Sequence, residues 1–253
     1  MDLTSLSATE FSAITVVSFL ISLVIYNALC LVCDHVSAYR INVAINSSAL
    51  VIMSFIFIRY YNPSFFTDRS GPNTVHENIT VCACLGYYTF DTLYYIWHWA
   101  KTSKVMLLHH VVTWYGLATC LYLQVSGTEI SIIICGTEMT TPFLIAQRFL
   151  PKEGKMRRTV CFSIYVIGTA LFVACRLIVG TYLMNVYLPD QKAPVIFRLL
   201  GFSLYVLGFP FFVSIVRFGV KNFRSEERER RDVNKKHVAN NNHISNNGFV
   251  KID

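Results

Sequence analysis

Residues 79–99, ITVCACLGYYTFDTLYYIWHW, and residues 105–125, VMLLHHVVTWYGLATCLYLQV, are successive apolar runs that each carry ionisable groups: Asp91 in the first, His109 and His110 in the second. A helix needs about 20 apolar residues to cross the roughly 30 Å hydrocarbon core of a bilayer. A charged side chain at the centre of such a helix costs about 2.5–3.5 kcal/mol on insertion scales, so it is kept where it faces protein, a water-filled cavity or a partner. Two interruptions on neighbouring segments point to one shared site within the membrane.

The rest of the chain fits that reading. The 253 residues are 54% hydrophobic, 14% aromatic and only 15% charged, against about 25% charged in soluble domains. The expected fold is all-α, a polytopic bundle of about seven transmembrane helices near 11–33, 41–61, 79–99, 105–125, 130–150, 159–183 and 196–219. Glu138 and Pro142 interrupt the fifth span. Residues 1–34 read as a signal anchor, because the first run is longer than a signal-peptide core and no basic segment precedes it.

Basic residues mark alternate loops: Arg40, then Lys101 and Lys104, then Arg148, Lys152, Lys155, Arg157 and Arg158, then nine Lys/Arg from Arg217 onward against five Asp/Glu. The intervening loops are balanced, with Arg69 against Asp68 and Glu77, and Lys192 against Asp190. The positive-inside rule then predicts a lumenal or extracellular N-terminus and a cytosolic C-terminus, in an endomembrane (endoplasmic reticulum or Golgi) or the plasma membrane. Residues 221–253 read as a cytosolic charged tail, a solvated helical extension at 224–232 passing into Asn-rich disorder at 240–247. Of the net charge of +7, +4 falls from Arg217 onward, where it suits anionic lipid rather than nucleic acid.

Helical period sorts the polar residues. Tyr87, Asp91, Tyr95 and His98 share one face of the third span, and His109, Thr113, Gly116 and Cys120 form a stripe on the fourth. Adjacent histidines point about 100° apart; the stripe directs His109 toward the bundle centre, face to face with Asp91. Glu138 and Arg176 sit at similar depth on the fifth and sixth spans and are expected to form a structural ion pair. Asp91 is the one extra ligand a metal at the histidines would find, and no H-x-x-x-H pattern accompanies it, so no metal is assigned. Cys30-Leu31-Val32-Cys33 reads as packing rather than redox or zinc chemistry. Asn78-Ile79-Thr80 is a formal glycosylation sequon abutting a span, and Asn46-Ser47-Ser48 another lying inside one.

Tyr87-Tyr88-Thr89-Phe90-Asp91 followed by His109-His110 resembles the signature of the TLC-domain family, which includes ceramide synthases, translocating-chain-associating membrane proteins and small lipid-linked proteins. Gly127-Thr128-Glu129, the stretch Gly136-Thr137-Glu138-Met139-Thr140-Thr141-Pro142, and Arg148 extend the likeness over roughly 35–220 and narrow the subgroup. The resemblance implies a TLC domain there, six helices following the anchor, and a role in lipid handling. Tyr87, Asp91, Tyr95, His98, His109, His110, Thr113 and Glu138 would contact a sphingolipid or phospholipid.

Ceramide synthases carry a second His-Asp-x-x-Asp cluster, where this chain has Gly136-Thr137-Glu138-Met139-Thr140. That departure weighs against turnover and for a lipid-binding, non-catalytic role without cofactors. The alternative is an acyl-CoA-dependent acyltransferase in which His109, His110 and Asp91 are catalytic. A seven-helix receptor or a transporter is a further alternative, but the third span ends Trp97-His98-Trp99 without a D/E-R-Y-like triplet, and no internal repeat is visible.

Overall fold

The computed structural model describes residues 7–61, 70–99, 103–147, 149 and 155–247. Lys101, Arg148 and Lys152 of the basic loops, and Asp68 and Arg69 of a balanced one, lie outside the described residues. In order, the elements are α1 (Ala8–Cys30), α2 (His35–Tyr61), α3 (Val75–Trp97), α4 (Lys104–Leu123), α5 (Gly127–Glu138), α6 (Thr141–Ala146), α7 (Lys155–Phe172), a π-helical segment (Val173–Ile178), α8 (Val179–Tyr187) and α9 (Val195–Asn247). Two compact units result, Met1–Pro210 and Phe211–Asp253.

Six helical segments among the described residues are long and apolar enough to cross a membrane: Ala8–Cys30, His35–Tyr60, Lys104–Leu123, Gly127–Ala146, Thr159–Tyr187 and Val195–Lys221. The seventh long helix, α3, carries Glu77, Asn78 and Asp91, all buried. It packs against α1, α2, α4 and α5. Its polar residues are turned to protein and mark the centre of the bundle, while Leu93, Ile96 and Trp97 toward its C-terminal end are exposed. Helix α1 exposes Val16, Val17, Leu20, Ile21 and Val24, as expected of a face turned toward acyl chains, where only apolar side chains avoid a desolvation cost.

Local signals set the helix starts. Ser7 and Glu10 form a capping box on α1, and Thr74 and Glu77 another on α3. In each, a side chain and a backbone N–H satisfy one another reciprocally. Asp34 Oδ1 accepts from the backbone N–H groups of Val36 and Ser37 at the head of α2. These caps explain why the helices begin several residues before the apolar runs do.

One interruption falls where the sequence placed it, and two further elements differ from expectation. The fifth span is broken after Glu138 and resumes at Thr141, with Pro142 in the first turn of α6. Proline is accommodated there because a first-turn N–H has no intrahelical partner. The sixth span contains the π-helical turn that carries Arg176. Helix α9 runs to Asn247, through both 224–232 and the Asn-rich stretch expected to be disordered.

Both sequons fall on buried asparagines, Asn46 in α2 and Asn78 in α3. The Asn78 amide donates to Gln124 Oε1 at 2.8 Å and its carbonyl accepts from Asn73 Nδ2 at 2.9 Å. A glycan on that nitrogen would displace the α4–α5 turn. The folded protein is expected to show no glycosidase-sensitive mobility shift, and a shift abolished by Asn78→Gln would contradict this placement.

Candidate functional site

Asp91, less than two turns from the C-terminal end of α3, is 3% exposed. One oxygen accepts from the Tyr39 hydroxyl of α2 and the other lies 3.4 Å from His110 Nε2 of α4. Tyr39 is held by stacking on Tyr94, ring centroids 3.6 Å apart, and by an edge contact with Tyr95. His110 is boxed by Tyr95 at 4.8 Å and Tyr88 at 5.2 Å. Its Nε2 faces the carboxylate. His110 Nδ1 is buried with no hydrogen-bond partner among the described residues.

The expected partner of Asp91 was His109, and the structure assigns that contact to His110 instead. Adjacent helical residues point about 100° apart, and which one meets α3 depends on how α4 is rotated against it. That rotation is set by packing and is absent from the period of α4 itself. His109 turns to the neighbouring cavity, which Thr113 and Gly116 also line, so the polar stripe on α4 is real but faces α5, α8 and α9.

This cavity has a volume of about 60 Å³ and opens in part at the surface. Its walls are apolar for most of their length, with Ile130, Ile133, Leu117 and Leu200 among them, and polar groups are few: His109, Tyr88, Thr113, Thr137, Glu129 and Tyr187. All its lining residues belong to the unit ending at Pro210. A concave, largely apolar site with a few convergent polar groups is the usual form of a small-ligand pocket.

Glu138 lies at the broken end of α5 and is 4% exposed. Its Oε2 accepts from Ser47 at 2.5 Å and its Oε1 from Tyr88 at 2.6 Å. Arg176 donates from Nη2 to the Thr137 carbonyl at 3.1 Å and places its guanidinium over the Phe172 ring at 5.2 Å. The expected direct Glu138–Arg176 pair is corrected: it is not among the ion pairs within 4 Å of the described residues, but the two charges lie near enough to act on one another, so the coupling is electrostatic at longer range. Two hydroxyl groups satisfy the carboxylate, while Arg176 caps one of the carbonyls that the end of α5 leaves without an intrahelical partner.

Other candidates separate. Tyr87 and Tyr95 lie in the aromatic cluster beside Asp91, Tyr87 against Tyr88 and Tyr95 against His110. His98 instead ends α3 and stacks on Tyr94 at 4.2 Å, its Nδ1 3.0 Å from the Tyr94 carbonyl. Tyr39, Ser47, Tyr88 and Glu129 were not identified as contact residues from the sequence. Buried carboxylates require hydrogen-bond partners, and that need is the signal by which tyrosine and serine in the second and third spans were open to identification.

The turn between α4 and α5 forms a second polar layer. Asn73 Oδ1 accepts from the Gly127 N–H at 2.7 Å, Thr128 donates to Glu77 Oε1 at 2.5 Å, and Ser126 and Tyr187 share a hydrogen bond of 2.7 Å. A side chain at Gly127 would have its Cβ 2.8 Å from Asn73 Oδ1, so the turn needs glycine there.

A family model described as the TLC domain matches residues 43–218.

Proposed function

Since the chain belongs to the TLC-domain family, we propose that this multi-pass membrane protein handles membrane lipid, holding a lipid or acyl chain in the cavity bounded by α3, α4, α5, α8 and α9. The observation that carries the reading is the cavity's make-up, a long apolar wall with His109 among its few polar groups. Within the family, the Gly127-Thr128-Glu129 and Gly136–Pro142 stretches look most like TLC domain-containing protein 5. The alternation of basic loops supports a cytosolic C-terminus.

In this reading Asp91, Tyr39 and His110 form a packed network that sets the wall of the site, and His109 contacts the ligand. Acyl transfer from acyl-CoA is the second reading, favoured by the paired imidazoles beside the cavity. Against it, a base oriented by a carboxylate must itself reach the substrate. Here the imidazole that Asp91 orients is His110, and the one lining the cavity is His109.

The test compares cells lacking the protein with cells carrying wild type, His109→Ala or His110→Ala at equal protein level. His109→Ala is expected to leave the membrane lipid composition as in the knockout while the protein still assembles. Full restoration by His109→Ala would overturn the role given to the cavity-facing imidazole. Consumption of acyl-CoA by the purified protein, falling at least about tenfold in His109→Ala, would select the transferase reading.

A further inference from the structure

Glu129 occupies the first turn of α5 and is 6% exposed. It lines the cavity on the same face as Ile130, Ile133 and Thr137. At 1.5 Å per residue, it stands about 12 Å along α5 from Thr137. Oε1 accepts from the Ser70 N–H at 2.6 Å, whereas Oε2 is buried and has no hydrogen-bond partner among the described residues. No Lys or Arg is among the lining residues. A buried acceptor without a donor costs free energy that a folded protein normally avoids. The start of a helix favours a negative charge, so the carboxylate is suited to its place, and what it lacks is a donor.

We infer that Glu129 recognises the polar group of the cavity's occupant, an amphiphile with a hydroxyl or ammonium donor at the α4–α5 turn and an apolar chain running along α5 toward His109. The inference rests on the proposal that the cavity holds lipid. A carboxylate oxygen without a donor is best completed by a hydroxyl or ammonium group, so a ligand with either is favoured at this position over one ending in a carboxylate or phosphate. Hydroxyl and ammonium groups each complete the valence left open at Oε2, the ammonium with a charge-assisted bond.

Three single-chain probes distinguish the possibilities: dodecylamine, dodecanol and dodecanoate, titrated by native mass spectrometry into the purified full-length protein and its Glu129→Gln, Glu129→Asp and Gly116→Leu variants. Gly116 lines the cavity, and a Cβ there meets only Leu200 Cδ1, at 3.9 Å, so a leucine side chain has room to occupy the cavity. Wild type is expected to bind the amine and the alcohol at least about tenfold more tightly than dodecanoate. In Glu129→Gln, which keeps an acceptor for the Ser70 N–H, the three should fall within about threefold of one another. Glu129→Asp keeps the charge and should keep the preference for the amine.

Equal binding of the three probes by wild type, or a preference that survives Glu129→Gln, would overturn the role of Glu129 and leave the lipid cavity standing. Binding that survives Gly116→Leu, or no binding to wild type, would overturn the cavity as the lipid site, and this inference with it.

Discussion

Gly86→Val is expected to abolish the folded protein. A Cβ at Gly86 would lie 2.3 Å from the Thr15 carbonyl oxygen, 2.7 Å from Ser18 Cβ and 2.9 Å from the Phe19 nitrogen. Two of these three atoms are α1 backbone, so no side-chain rotation relieves the clash. Beside it Ser18 donates to the Ala83 carbonyl at 2.6 Å, a bond that holds the helices at the separation glycine permits. Close approach through small residues is the main source of helix association in lipid, where apolar burial supplies little. Overpacking typically costs about 1–3 kcal/mol and more where backbone must move, against a total stability of about 5–15 kcal/mol. After detergent extraction, monodisperse protein on size-exclusion chromatography should fall by at least about tenfold for Gly86→Val, a loss of about 1.4 kcal/mol or more. Gly208→Ala serves as the control, because nothing lies within 4 Å of a Cβ there. Equal yields for the two variants would refute the α1–α3 contact.

Glu138→Leu should be nearly as damaging, and Arg176→Met should not rescue it. Removing the carboxylate leaves the Ser47 and Tyr88 hydroxyls without the acceptor they share. Each unsatisfied buried group costs about 1–3 kcal/mol. Rescue should come from removing those donors as well, in Glu138→Leu/Ser47→Ala/Tyr88→Phe, because replacing all partners by apolar groups is far less costly than removing one. Thermal unfolding followed by tryptophan fluorescence reads this directly. Recovery in Glu138→Leu/Arg176→Met and none in the triple variant would restore a direct ion pair in place of the hydroxyl network.

Much of the architecture was legible because lipid imposes a simple rule on sequence. Long apolar runs had to be helices, and α3, whose run carries Asp91, packs against four of the others. Pro142 marked the break in the fifth span. The helix starts were legible too, in Ser7-Ala8-Thr9-Glu10 and Thr74-Val75-His76-Glu77, had the capping pattern been weighed beside hydropathy. The site was only half legible. Asp91, His109, His110 and Glu138 are all buried, but their partners depend on how helices are rotated against one another. Period alone gave Asp91 to His109 when packing gives it to His110, and matched depth paired Glu138 with Arg176 when Tyr88 and Ser47 supply its donors. The π-helical turn at Val173–Ile178 carries no composition signal that we can identify. Glu129 sits near the end of its span, where a carboxylate is unremarkable in sequence, and only the cavity wall gives it significance.

The central claim is that the cavity beside His109 holds a membrane lipid. Its most direct test is the lipid that remains on the protein after gentle purification, quantified by mass spectrometry for wild type and Gly116→Leu at matched yield. One lipid class near one molecule per chain on wild type, and its loss from Gly116→Leu, is the predicted result. The same lipid at the same ratio on both proteins, or none on wild type, would contradict it.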